Sequence, residues 1–239
     1  MTSPRRSWLE TWRRRLRTLA GGAIPADPEA RAELVRTFRD ERGQRRAIDE
    51  PILRWVTRDR DTRDPHRPSA YAPGPRPPAE HAPPESRDLA LWRALLDGRR
   101  PRLPEAEGPR PILDPDDHPA IELWTETELA RLHAPWWHAR RPDAEAAAWR
   151  AAIARAVRWH LDTLQPDNGT HHAWAAHVFI DAAWRPGGEL DPEADLHAQG
   201  LVHAATFATG RPDALSALLL HDAAEAVDLL IAGHGPRVA

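Results

Sequence analysis

The sequence predicts an all-α protein: an antiparallel bundle of about five helices in the C-terminal half, a helical N-terminal arm, and a proline-rich linker. Three observations predict it. Through most of residues 119–235 apolar side chains return at intervals of three and four, the spacing that lines one face of a helix. Asp-Pro pairs and glycines punctuate those runs where helices begin and end, as at Asp191-Pro192 and Gly210. Apart from the short run Ile121-Glu122-Leu123-Trp124, no stretch alternates apolar with polar residues as a half-buried strand does.

Residues 1–61 make up the basic arm. Trp8, Leu9, Trp12, Leu16 and Leu19 share a stripe on its first helix, and six Arg between residues 5 and 17 occupy much of the rest. Asp27-Pro28-Glu29 caps a second helix through Leu34, Val35 and Phe38. Ile48, Ile52, Leu53, Trp55 and Val56 continue as a third, with Pro51 near its start. Residues 62–118 are the linker, where runs such as Ala72-Pro73-Gly74-Pro75-Arg76-Pro77-Pro78 offer too few N–H donors for a ladder and favour extended chain. One short helix interrupts it at about 87–97, capped by Ser86, carrying Leu89, Leu91, Trp92, Leu95 and Leu96, and closed by Gly98.

Residues 119–235 form the bundle domain. Thr125 and Glu128 read as a capping box, with Trp124 and Leu129 as the staple around it. Pro142-Asp143 starts the next helix, whose Trp149, Ile153, Ala156, His160 and Leu164 recur at four, three, four and four. A third, from about His172 to Trp184, is apolar nearly all round and is predicted to be buried. The fourth carries Leu196, Leu201, Val202 and Phe207. The fifth runs from Pro212-Asp213 to about Ala232 with Leu215, Leu218, Leu219, Val227, Leu229 and Leu230.

Composition narrows the chemistry. All 33 basic residues are Arg and there is no Cys, which removes a P-loop lysine, a Schiff base, thiol nucleophiles, disulfides and cysteine-ligated metals. No G-x-S-x-G, H-E-x-x-H or internal G-x-G-x-x-G is present. No apolar run approaches the roughly 20 residues of a membrane helix, and Arg13, Arg14, Arg15 and Arg17 interrupt any leader-like stretch, so the expected location is the cytoplasm. Charge is uneven. Residues 1–60 hold 15 Arg against 9 acids, a net of +6, while residues 119–239 hold 9 against 16, a net of −7. The arm is therefore suited to docking on the acidic body or to an external anionic partner.

Candidate site residues come from spacing. His177 and Asp181 are four apart on the helix predicted to be buried, and His221 and Glu225 are four apart with Asp222 adjacent. That spacing puts both side chains on one face, as a zinc, manganese or iron site between helices requires. The preferred reading is a His–carboxylate hydrogen bond that satisfies a buried imidazole without metal. Divalent-metal binding by His177, Asp181, His221, Asp222 and Glu225 is the alternative. Between the two most apolar helices, Asp167, Asn168 or Thr170 cap the leading backbone N–H groups of the buried helix; the alternative is a pocket rim where Asp167 and His171 act as acid or base, with Trp174 and His177 lining its wall.

Two resemblances bear on these residues. Beyond residue 122 the chain is similar to a group of uncharacterised bacterial all-helical proteins. It shares Leu164-Gln165-Pro166-Asp167-Asn168, Trp174 with His177-Val178-Phe179, Leu201-Val202-His203, and Gly210-Arg211-Pro212-Asp213 followed by Leu215-Ser216-Ala217. That likeness implies a compact helical domain and no particular reaction. His221-Asp222 after an apolar run resembles the signature of HD-type metal phosphohydrolases, which implies His177 or His203 as the upstream ligand. The downstream acid departs from that pattern, because Asp228 follows only six residues on, in the same helix.

The functional expectation is a protein-interaction or self-assembly module, its partner another protein or a second copy, with no cofactor. A metal-dependent hydrolase is the first alternative. The second is a peripheral adaptor that lays Trp8, Trp12 and the neighbouring Arg on an anionic membrane surface. Sequence-specific nucleic-acid readout is not expected.

Overall fold

The computed structural model describes residues 3–39, 49–58, 87–97, 108–112, 121–140, 144–164, 171–184, 187–207 and 209–234. Among them the chain is mostly helical, as predicted, and the only β pairing is an isolated bridge between Trp184 and Leu190. No helix among these residues is long and apolar enough to cross a membrane.

The compact units cut the chain differently from its composition. One joins Met1–Ile24 to Leu103–Ala239; the other is Pro25–Arg102. In the smaller unit, α2 (Pro28–Thr37) starts where Asp27 accepts the Ala30 N–H at 2.8 Å. Helix α3 (Asp49–Val56) packs Ile52, Leu53 and Val56 in the core shared with Leu91, Trp92 and Leu95 of α4 (Arg87–Leu96). A helix of ten residues is unstable alone, and docking on α3 is what holds α4.

In the larger unit, α1 (Pro4–Ala20) lies along α9 (Ala214–Ile231) and buries Leu9, Trp12, Leu16 and Ala20. The arm of residues 1–61 is thus divided, since its first helix belongs to the bundle. Opposite charge helps to seat it: Arg17 meets Asp228 at 2.5 Å, and Arg13 meets the same carboxylate at 3.4 Å. The remaining helices are α5 (Ile121–Ala139), α6 (Ala144–Thr163), α7 (Ala176–Ala182) and α8 (Pro192–Phe207). Asp191 and Asp213 cap α8 and α9 as expected, Asp213 accepting the Ser216 N–H at 2.7 Å.

Two local readings are corrected. Ile121–Trp124 is not a strand, and Thr125 with Glu128 is not a capping box: both lie inside α5, already helical at Ile121. Among the described residues the Thr125 hydroxyl is buried without a hydrogen-bond partner, and Glu128 instead accepts the Ile112 N–H at 2.8 Å. The third bundle helix is shorter than expected. Ala175 adopts a left-handed conformation (φ 54°), which ends any helix from His172 and restarts it at Ala176. Helix α7 is still buried, packed by α5, α6, α8 and α9, and so it is the seat of the polar groups described next.

Candidate functional site

Helix α5 brings His133, Trp136 and Trp137 to α7 and α9. His133 Nε2 lies 2.9 Å from Asp222 Oδ2, and both side chains are wholly buried. The Ala175 N–H donates to His133 Nδ1 at 3.1 Å. A backbone N–H can only donate, so Nδ1 is unprotonated and the ring carries its proton on Nε2, which it gives to Asp222. Trp137 Nε1 donates to the same Oδ2 at 2.9 Å. The left-handed Ala175 is what turns that N–H into the ring.

The cluster extends through aromatic contact. The His177 ring lies 4.3 Å from His133 and 5.0 Å from Trp136. Trp136 donates to Asp181 Oδ2 at 3.0 Å, while Arg5 of α1 stands 3.9 Å from Asp181 Oδ1. Toward the surface, Glu126 Oε1 accepts from Trp174 Nε1 and meets His172 Nδ1, each at 2.5 Å. The other nitrogen of His172 is 3.5 Å from Asp213. Trp174 packs edge-on to His133, 5.9 Å between rings, and so links the partly exposed Glu126, and through His172 also Asp213, to the core.

A second set of buried imidazoles lies between α6, α7 and α8. His197 stacks on Phe179 at 4.2 Å, 6.0 Å from His160, whose Nε2 is 3.6 Å from Glu128. Burial, with a smaller contribution from the His160 charge, lowers the His197 pKa to about 3.

The residues singled out by spacing are dispersed. His177, Asp181 and Asp222 join one network, with His133 as the link between His177 and Asp222. His221 and Glu225 instead lie at the surface, 3.9 Å from each other, with Arg17 4.0 Å from Glu225. Among the described residues no three His, Asp or Glu side chains are arranged to hold a metal ion. The phosphohydrolase likeness also parts from the geometry: Asp222 takes His133, His203 is exposed on α8, and Asp228 faces Arg13 and Arg17. His171 is exposed, and its carbonyl accepts from Ser216 Oγ at 3.4 Å. Asp167 lies outside the described residues. Both nitrogens of His133 are committed, so it neither takes a substrate proton nor ligates a metal while those bonds stand.

His133, Trp137, Glu126 and His172 were not found by spacing. The signal for the first two was present: His133 and Trp137 are four apart in Leu132-His133-Ala134-Pro135-Trp136-Trp137. Pro135 conceals it, since proline suggests a helix end, yet here it sits inside α5 and forfeits only its own hydrogen bond.

The surface offers a different feature. On α8, Ala194, Ala198, Leu201, Val202 and Ala205 are buried, while Leu196 is 63% and Phe207 77% exposed. His203, also exposed, packs its ring 5.5 Å from Phe207, and residues 196, 203 and 207 share one face. Conversely, the Trp12 stripe of α1 is covered: Trp12 is buried and donates to Asp195 at 2.9 Å, and Trp8 leans on Trp184. No family model, no curated protein and no solved structure matches the chain.

Proposed function

We propose that the protein is an interaction module that binds through the outward face of α8. One observation carries the reading: two full-size apolar side chains, Leu196 and Phe207, stand in water on the same side of a helix whose opposite side is core. Burying each on a partner is worth about 2 kcal/mol. They are eleven positions apart, about three helical turns, so they form the ends of one seam with His203 between. In this reading the buried His133–Asp222 network belongs to the scaffold that presents the face.

Photo-crosslinking in cells that make the full chain tests it. A photoreactive residue replacing Phe207 is expected to give an adduct of discrete mass, which Leu196→Glu suppresses. The same residue replacing exposed Arg14 of α1 is expected to give none. The melting temperature of Leu196→Glu should stay within about 2 °C of the parent, because the side chain is exposed. No adduct from position 207, or the same adducts from both positions, overturns the proposal.

A further inference from the structure

The outward face of α8 is self-complementary, and we infer that its occupant is a second copy of this chain, docked antiparallel about a two-fold axis. The inference rests on the interaction reading and names its partner. Charge along the seam is polarised. Exposed Glu189 and Glu193 stand at its N-terminal end, and exposed Arg211 lies just past its C-terminal end. Arg158 of α6, whose charge also reaches Glu193, is itself bonded to Asp162. A parallel pair would stack acid on acid. An inverted copy places Arg211 against Glu193, and it also sets the two helix dipoles in opposition.

The apolar positions fix the register. Setting Leu196 against Phe207 of the second copy puts the axis between residues 201 and 202, and residue 193 then faces residue 210, next to Arg211. Both ends of the seam are satisfied by one operation, as an isologous contact demands. A single pair of four-turn helices buries less than the roughly 1,200 Å² of a standard interface. The dimer is therefore reversible and depends on protein concentration.

The chain has no cysteine, so an introduced thiol is the only one present. Under mild oxidation, full-length Leu196→Cys mixed with full-length Phe207→Cys is expected to form a disulfide heterodimer, and neither variant alone should. In this register two copies of position 207 lie about 16 Å apart along the axis, beyond disulfide reach. Sedimentation velocity supplies the second arm. The parent should shift from monomer to dimer between about 1 and 500 µM. Arg211→Glu should weaken association about tenfold by repulsion, and Glu193→Arg in the same chain should restore it. A monomer at every concentration, equal disulfide yield from either variant alone, or failure of the charge swap to rescue overturns the antiparallel copy. If an adduct of different mass still forms at position 207, the interaction reading stands and only its occupant changes; if none forms, both fall.

Discussion

His133 and His197 are both buried imidazoles of the same bundle, and they are kept under opposite terms. His133 has an acid for its proton and a backbone N–H for its lone pair. His197 has the ring of Phe179 and the neighbouring His160, and it stays neutral down to about pH 3. The first arrangement fixes a tautomer and ties α5, α9 and the Ala175 turn together. The second fills space with a ring whose charged form the site rejects. The same residue type is thus a polar crosslink in one place and packing in the other.

The largest expected effect lies on the crosslinked side. Asp222→Ala leaves the Nε2–H of His133 and the Nε1–H of Trp137 buried without their acceptor, and should cost about 3–5 kcal/mol in denaturant unfolding. Asp222→Asn keeps one acceptor oxygen and should lose less. At pH 7 His197→Phe should cost under about 1.5 kcal/mol, because it exchanges one flat ring for another. Equal losses for Asp222→Ala and His197→Phe would erase the distinction between the two sites.

Acid gives the next effect. In the unfolded chain His197 titrates near 6.5, whereas in the fold it does so near 3. Below about pH 6.5 the unfolded state therefore takes up a proton that the folded state refuses, and stability falls with pH across that window. From pH 7 to pH 5 this one group removes about 2 kcal/mol. Among the described residues His160 of α6 is the charged neighbour that acts on it, and Glu128 of α5 lies beyond His160. His197→Phe should flatten the unfolding profile between pH 7 and 5 by that amount. An unchanged slope would place the acid sensitivity elsewhere.

How much of this the sequence carried depends on the range of the interaction. Helix starts at Asp27, Asp191 and Asp213 were legible because an Asp cap is a local bond, made within three residues. The docking of α1 was legible in kind, since an Arg-rich helix and an acidic body attract at any register. The Thr125–Glu128 capping box failed because the same four-residue pattern fits inside a helix that has already begun. The i, i+4 pair His133–Trp137 is masked by Pro135, and its partners Ala175 and Asp222 lie 42 and 89 residues from His133, where no spacing rule reaches. The exposure of Leu196 and Phe207 was not legible for a related reason. Periodicity gives the direction of an apolar side chain around its helix, not whether anything covers it.

Asp228 offers the smallest and sharpest test of what burial does to an acid. It lies six residues beyond Asp222 on α9 and also holds two donors, but near the surface, where Arg17 is about half exposed. Solvent screens such a pair, and ordering two long side chains offsets part of the attraction. Arg17→Ala should therefore cost about 0.5–1 kcal/mol at low salt, and most of that loss should vanish in 1 M NaCl, where the screening length is about 3 Å. The cost of Asp222→Ala, arising from unmet donors in the core, should be nearly the same at both salt concentrations. If the two losses respond to salt alike, Arg17 and Asp228 form a buried contact, and the seating of α1 depends on charge more than on Leu9, Trp12 and Leu16.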